Sequence, residues 1–417
     1  MFRFIHSADW QLGKSYAEFG PRAEAMRAQR LGTLRAALNL ARERAADAFL
    51  VAGDLFEDPL VEDALVEEAL RVFADFPEIP VGLLPGNHDP AVPSPAALWS
   101  RRHFRDGALP PNVAVFREPG VHAFGPAALL VSPLRQKNSY TDPSLCLRDL
   151  ARSVPADRVK IGLTHGSLAI AGQHQPNDFP IHLEAATRAG LDYLGVGHWH
   201  NWQTYDGGRL VMPGTPEPDA FGQEAAGFVA CVELDGPAAP PRVEPVRVGA
   251  LRWHQWDCDL GDWTGQHALL GLHVGGWNGD RAARVCRVRL RGSASGDERA
   301  AALAALQELF GGVFHFEADA DDLRSTLSAG ELAALERDHP LLGQVFADLR
   351  QIEFFATNAA PDEAAPAAAG PAIALAEAQT LLAEAKLALA DLAPGDFRAA
   401  RDLLRDALQS AAAHVCA

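Results

Sequence analysis

The hydrophobic positions of this chain fall into short runs, and several of these runs end at a polar, glycine-rich turn. The run at 80–85 leads directly into the tetrapeptide 86–89, Gly-Asn-His-Asp. Runs that end beside an Asp or a His also occur at 2–5, 49–52, 159–163 and 193–196. Short apolar runs bounded by turn residues predict buried strands. The chain therefore contains at least five predicted strands whose ends carry reactive side chains.

Helical patterns lie between the first three of these predicted strands. Leu31, Leu34, Leu38 and Ala41 recur at helical spacing within 21–46, and a similar apolar face covers 63–76. Strands that alternate with helices indicate a parallel sheet joined by right-handed crossovers.

The later strands extend this picture. Residues 90–127 are rich in proline and are predicted as loops. The apolar runs at 209–212 and 226–234 are predicted to close a second sheet. The predicted fold class is α/β, a two-sheet α/β/β/α sandwich, and its domain ends near residue 250.

Three further segments follow this first domain, 1–250. Residues 251–355 predict a small α/β cap, the Ala- and Pro-rich stretch 356–372 a flexible linker, and 373–417 a helical hairpin. The hairpin carries apolar residues at spacings of three and four. It either folds back on its own domain or docks on the coiled coil of a partner.

Alternation along 284–291 places three arginines on one face of a predicted strand of the cap: Arg287, Arg289 and Arg291. This face is either a DNA contact or an ordinary solvated face of a sheet, and the residues alone favour neither.

The polar strand ends predict one shared site, because ligands of open α/β sheets bind outside the carboxyl ends of the strands. The predicted cluster consists of Asp9, Gln11, Asp54, Asn87, His165, His198 and His200. Mixed imidazole, carboxylate and amide donors suit Mn, Fe or Zn better than Ca. Two such metals can activate water at a phosphoryl centre, and Asp54 is the natural bridging ligand. His88 then remains as a general acid, with Asp89 expected to hold its ring.

The composition of the chain bears on its expected partners and location. The net charge is −17, which is unusual for a DNA-binding chain because phosphate contacts need local positive charge. The acids are expected mainly to provide solubility; the alternative is that a basic partner supplies the DNA-binding surface. The five cysteines show no paired spacing, and there is no apolar run long enough for a membrane span or a signal sequence. These features predict reduced thiols, a cytoplasmic location and no membrane partner.

The ordered motifs resemble the five signatures of calcineurin-like metallophosphoesterases. They are Asp9, Gly53-Asp54, the tetrapeptide 86–89, Thr164-His165-Gly166 and Gly197-His198-Trp199-His200. The stretches 6–10 and 212–218 are further similar to the bacterial SbcD nuclease branch of that family. The resemblance covers roughly 1–235 and is weak beyond residue 250.

The resemblance implies a division of the ligands between two metal ions, with Mn²⁺ as the expected metal. One ion would be held by Asp9, Asp54, His200 and position 11, and the other by Asp54, Asn87, His165 and His198. His88 would protonate the leaving oxygen, with Asp89 orienting it. Position 11 departs from the family pattern because it is Gln11 instead of His. An amide oxygen is a weaker donor than imidazole to late transition metals.

The same resemblance implies a DNA exonuclease of DNA repair that works with an SbcC-like ABC-type ATPase carrying coiled-coil arms. A second copy of the chain is a further candidate partner. The chain itself has no Gly-rich loop ending in Gly-Lys-Ser/Thr, so ATP binding would come from the partner. Two alternatives stay open. One is a phosphoesterase for small phosphodiesters or phosphomonoesters, and the other is a scaffold that has lost its metal, which only Gln11 suggests.

Overall fold

The structure is a computed structural model that describes residues 1–105, 107–173, 175–277 and 279–326, together with Gly330 and Arg337. The described chain divides into two compact units. The first comprises 1–254, 280–286 and 313–315; the second comprises 255–279, 287–312 and the described residues from 316 onward. The predicted linker, 356–372, and the predicted hairpin, 373–417, lie outside the described residues.

Within residues 2–247, strands and α-helices alternate up to residue 84 and again between 127 and 197. The strands are β1 (Phe2–Ser7), β2 (Ala48–Ala52), β3 (Val81–Leu84), β4 (Val113–Val115), β5 (Gly120–Phe124), β6 (Ala127–Ser132), β7 (Val159–His165), β8 (Tyr193–Gly197), β9 (Gln203–Tyr205), β10 (Leu210–Met212), β11 (Phe228–Leu234) and β12 (Arg242–Arg247). The helices are α1 (Ala23–Glu43), α2 (Asp63–Ala74), α3 (Leu145–Ala151) and α4 (Ala185–Ala189).

The first sheet has the order β12-β11-β1-β2-β3-β4. Its strands β1 to β4 are parallel neighbours, as the strand–helix alternation predicts. All of β2 and β3 is buried, which is typical of parallel strands covered on both faces. The parallel arrangement brings the carboxyl ends of β1, β2 and β3 to the same edge.

The second sheet has the order β5-β6-β7-β8-β10-β9, with β6, β7, β8 and β10 parallel. The prediction that both late runs close this sheet is wrong for 226–234. That run forms β11, which pairs antiparallel with β1 in the first sheet, with Phe2 opposite Leu234. The region 90–127, predicted as loops, also contributes β4 and β5.

Three hydrophobic clusters define four layers, and they confirm the α/β/β/α sandwich. The outer face of the first sheet packs on α1 and α2 through Leu34, Phe49 and Phe73. The two sheets share a core that includes Phe4, Leu50 and Ile161. The outer face of the second sheet packs on α3 and α4, with Leu130, Leu147 and Ala186 among the buried residues.

The remaining described elements follow residue 251. They are β13 (Arg252–Asp259), α5 (Trp263–Gly275), β14 (Arg284–Arg291), β15 (Ser293–Ala294), α6 (Gly296–Leu309), β16 (His315–Asp319) and β17 (Arg324–Ser325). Helix α6 begins at a capping box, in which Ser295 and Glu298 satisfy each other's backbone N–H groups. No helix in the described ranges is long and apolar enough to cross a membrane.

Candidate metal centre

The polar strand ends of the two sheets meet in space. Asn87, which follows β3 of the first sheet, lies between two histidines of the second sheet. Its side-chain oxygen Oδ1 is 2.8 Å from Nε2 of His165, at the end of β7. The same oxygen is 2.9 Å from Nδ1 of His198, which follows β8. The Asn87 oxygen and the two ring nitrogens therefore lie together, in agreement with the prediction that the polar strand ends share one site.

Asp54 lies at the centre of this arrangement. Its Oδ2 is 3.4 Å from Nε2 of His165 and accepts a hydrogen bond from the Gln11 amide at 3.1 Å. Its other oxygen accepts from the backbone N–H of His88 at 2.9 Å. Ligand atoms of Asp9, Asp54 and His165 all lie within 4.8 Å of one another, so the three could hold a metal ion together.

The ring of His165 is fixed from behind. Its Nδ1 lies 2.8 Å from the carbonyl oxygen of Ala52, and a carbonyl can only accept, so Nδ1 carries the proton. The other nitrogen, Nε2, is thereby left for the cluster, which is the arrangement common to metal-binding histidines.

The backbone at these positions is strained. Asp9, Gln11, Asp54 and His198 have φ values of 54°, 46°, 54° and 123°, although residues other than glycine rarely adopt positive φ. Residues held in such conformations cluster at functional sites because the surrounding structure must enforce them.

Two glycines allow the strand ends to come this close. A Cβ atom at Gly53 would collide with the His165 ring, and one at Gly86 would collide with the Asp54 carboxylate. Glycine is therefore required in both turns, because any side chain would occupy the space of a predicted ligand.

Burial and charge act against each other in the cluster. Burial favours a raised pKa for Asp54, but His165 and His88 hold the pKa of this carboxyl well below its usual range. Burial lowers the pKa of His165, yet Asp54 and Asp9 outweigh it and raise that pKa to about 9. The two residues thus form a buried ion pair. A metal ion at His165 would have to displace its proton, so metal binding and pH are linked.

The charge of Asp9 links His200 to the site. Burial acts to lower the pKa of His200, but Asp219 and then Asp9 raise it above its usual value. Nδ1 of His200 lies 3.2 Å from Oδ1 of Asp219. Asp219 was not predicted from the sequence, although it directly follows the 212–218 motif and could have been found there.

The carboxylate of Asp219 is held by several donors. Lys14 and the buried Arg30 donate to its Oδ2 at 3.0 and 3.2 Å, and Gln223 donates to its Oδ1 at 2.7 Å. The negative charge of Asp219 is therefore shared with two cations as well as with His200.

Asp178 is a second carboxylate whose contact with a histidine the sequence does not predict. Its Oδ2 lies 2.7 Å from Nε2 of His198, on the side of the ring away from Asn87. The residue lies on the polar loop 169–179. No periodicity indicates such a contact, since it joins two segments that are 20 residues apart.

Asp89 has a different role from the one predicted. Its two carboxylate oxygens accept from the backbone N–H groups of Gly86 and Phe56, at 2.7 and 3.1 Å. The His88 ring instead lies 2.9 Å, through Nδ1, from the carbonyl oxygen of Glu57. The prediction that Asp89 orients His88 is therefore wrong in its mechanism, because Asp89 fixes the turn and Glu57 fixes the ring.

We accordingly expect Asp89→Ala to destabilise the fold. Asp89 is fully buried, so its loss leaves two buried N–H groups without an acceptor, a cost of roughly 2–4 kcal/mol. Urea unfolding followed by circular dichroism measures this cost. Asp89→Asn keeps one acceptor and should lose less, whereas an Asp89→Ala protein as stable as wild type would contradict this role.

The donor set fits divalent metal ions. It combines carboxylate oxygens, amide oxygens and imidazole nitrogens, which suit Mn, Fe or Zn. In addition, Oε1 of Gln11 is buried and, within the described ranges, has no hydrogen-bond partner. A buried acceptor without a donor is costly, and a cation would satisfy it. Position 11 can therefore contribute a ligand atom despite its departure from histidine.

The predicted DNA-binding arginines belong to the second unit. They share one face of β14 and alternate with buried Val288 and Leu290. Each is paired with a carboxylate: Arg287 with Glu317, and both Arg289 and Arg291 with Asp257, at 2.8 and 3.4 Å. DNA binding by this face stays a prediction, and two carboxylates of the chain already offset part of its charge.

Comparison with known proteins agrees with this chemistry. Residues 2–202 match the calcineurin-like phosphoesterase family. The chain is 25% identical over 238 residues to the DNA double-strand break repair protein Mre11 of Methanopyrus kandleri. This match covers 52% of this chain and 49% of that protein. It is 23% identical over 262 residues to the SbcD subunit of the SbcCD nuclease of Bacillus subtilis, covering 56% of this chain and 65% of the relative.

Both matches therefore span less than two thirds of the relative's own length. Among solved structures, TT1561 of Thermus thermophilus is 15% identical with a TM-score of 0.39, and the match covers 59% of this chain and 99% of that one.

Proposed function

We propose that the chain is a dinuclear-metal phosphodiesterase that degrades DNA from its ends, because residues 2–202 match the calcineurin-like phosphoesterase family. The observation that carries the proposal is the convergence of Asp54, Asn87 and His165 beside His88. The relatives named as a double-strand break repair protein and a nuclease subunit support DNA as the substrate.

The ligand roles are part of this proposal. Asp9, Gln11, Asp54 and His200 hold one metal ion, and Asp54, Asn87, His165 and His198 hold the other, with Mn²⁺ the proposed metal. When bound, such a pair of ions activates water and stabilises the charge that develops on the phosphate.

The chain's own residues complete the reaction. Because the Glu57 carbonyl accepts from Nδ1 of His88, the proton that His88 transfers is the one on Nε2. A water that has released one proton to solvent bonds through its oxygen to phosphorus, the bond from phosphorus to the leaving oxygen breaks, and His88 protonates that oxygen. The turn around Asp89 fixes the position of His88, since its carboxylate binds the N–H groups of Gly86 and Phe56.

A partner subunit belongs to the same proposal. The Bacillus relative is by name one subunit of a nuclease complex, and this chain carries a net charge of −17. We propose that a coiled-coil ATPase binds the 373–417 segment and supplies much of the positive surface that DNA requires.

A linear duplex labelled at one end tests the function directly. Full-length protein with Mn²⁺, alone and with a co-purified ATPase, should shorten the linear duplex and leave covalently closed circular DNA intact. Bis(p-nitrophenyl) phosphate serves as a parallel substrate, and Asp54→Ala is the inactive control.

The second candidate function is hydrolysis of small phosphodiesters, which the acidic net charge and the ion pairs on the arginine face favour. Cleavage of bis(p-nitrophenyl) phosphate without any cleavage of DNA, in the presence of the ATPase as well, would support this second function and contradict the first.

Gln11 predicts how the activity depends on metal. Imidazole binds Mn, Fe and Zn better than an amide oxygen does, so the site shared by Asp9, Asp54 and His200 should be the weaker one. The initial rate should therefore reach its maximum only at a Mn²⁺ concentration high enough to fill this weaker site. We expect Gln11→His to lower that concentration and to leave the tighter site unchanged. Superimposable Mn²⁺ titrations of the two proteins would show that Gln11 is not a ligand.

A further inference from the structure

We propose that Asp178 is a positioning residue that sets the metal affinity of His198, a ligand of the tighter of the two metal sites. This inference rests on the proposed function only in taking His198 as a metal ligand. It assigns a role to the loop 169–179, which none of the ordered motifs includes.

The two nitrogens of the His198 ring face different partners. Nδ1 lies 2.9 Å from Oδ1 of Asn87, and Nε2 lies 2.7 Å from Oδ2 of Asp178. An ionised carboxylate can only accept a hydrogen bond, so Nε2 carries the proton in the neutral ring. The lone pair of the neutral ring is then on Nδ1, the nitrogen that faces the cluster. Asp178 thus selects the tautomer that can bind a metal ion and fixes the orientation of the ring.

The backbone holds Asp178 in this position. The carbonyl oxygen of Asp178 accepts from both the N–H and the hydroxyl of Ser167, at 3.1 and 2.8 Å. The next residue, Phe179, is buried, has a φ of 53° and donates its N–H to the carbonyl of Ser139 at 2.9 Å. A bulky residue keeps such a φ only where its surroundings enforce it. The side chain of Asp178 is therefore directed by a constrained segment, although that side chain is 24% exposed.

Asp219 provides a comparison within the same molecule. It is the carboxylate on the ring of His200, but it also forms ion pairs with Lys14 and Arg30. Across the described ranges, no Lys or Arg side chain forms an ion pair with Asp178, whose carboxylate contacts the His198 ring. The charge of Asp178 acts on a single imidazole, whereas that of Asp219 is divided among several groups. We therefore infer that the effect of Asp178 on metal binding is confined to His198.

The test is a calorimetric titration of full-length protein with Mn²⁺, which resolves the tighter and the weaker site. We expect Asp178→Ala to weaken the tighter site by about 10- to 100-fold, the range typical for loss of such a partner. The weaker site, which does not include His198, should shift much less. Asp178→Glu should restore most of the affinity, because it returns a carboxylate to Nε2.

Two controls separate this role from a general loss of structure. Asp149→Ala removes an exposed carboxylate that pairs only with Arg148 and Arg152 among the described residues and should leave both sites unchanged. The thermal unfolding midpoint without added metal should be similar for wild type and Asp178→Ala. Wild-type affinity at the tighter site in Asp178→Ala would overturn the proposal, as would equal weakening of both sites that Asp178→Glu does not reverse.

This outcome is independent of the substrate. If the wild-type chain binds two Mn²⁺ ions in the expected pattern but hydrolyses no phosphodiester, the proposed function fails and the role of Asp178 stands. If hydrolysis is observed and Asp178→Ala retains the tight site, the proposed function stands and the role of Asp178 fails.

Discussion

Asp54→Ala should abolish phosphodiester hydrolysis, with the rate falling by a factor of about 1000 or more. Asp54 contacts His165 and Gln11 through one oxygen and the backbone of His88 through the other. Its loss removes the proposed ligand common to both metals, and each loss of about 1.4 kcal/mol of transition-state stabilisation slows the reaction about tenfold. The measurement is the initial rate with bis(p-nitrophenyl) phosphate, together with the bound metal counted by mass spectrometry.

Asp149→Ala, which removes an exposed carboxylate of helix α3, is the matched control and should keep full activity. The bound metal in Asp54→Ala should fall below two equivalents. Two full equivalents of Mn²⁺ in that variant would contradict the bridging role of Asp54, whatever happens to the rate.

His88→Gln should slow DNA hydrolysis by about 100- to 10,000-fold, the contribution typical of a general acid. The leaving oxygen of DNA is a poor leaving group and needs the proton, whereas p-nitrophenolate leaves readily without it. Hydrolysis of bis(p-nitrophenyl) phosphate should therefore slow much less. The measurement is the ratio of the two rates in the wild type and in the variant.

The affinity for Mn²⁺ should be unchanged in His88→Gln, because the side chain of His88 is not a proposed ligand. Calorimetry with Mn²⁺ checks this point. An equal loss on both substrates, or a loss of bound metal, would show that His88 acts on the metal site and not on the leaving group.

The parts of the site that could be predicted are those at strand ends. Asp9, Asp54, Asn87, His165 and His198 follow apolar runs, and parallel strands place their carboxyl ends at one edge. Their proximity therefore follows from the apolar pattern of each strand and from the parallel arrangement of the strands.

The parts that could not be predicted depend on contacts between distant segments. The run 226–234 shows an ordinary strand pattern, and nothing in it indicates that Phe2 would face Leu234 across an antiparallel pair. The role of Asp89 depends on Phe56, which lies 33 residues away in the chain. Asp178 and Asp219 are likewise brought to histidine rings by loops whose course has no periodic signal.

The most direct test of the central claim is the initial rate of bis(p-nitrophenyl) phosphate hydrolysis by metal-stripped, full-length protein as Mn²⁺ is added back. If seven side chains at the strand ends form a two-metal phosphodiesterase centre, there should be no hydrolysis without metal. The rate should then rise steeply only as the second equivalent binds, because water activation requires both ions. Hydrolysis by the stripped protein, or a full rate with a single equivalent of Mn²⁺ bound, would contradict the account.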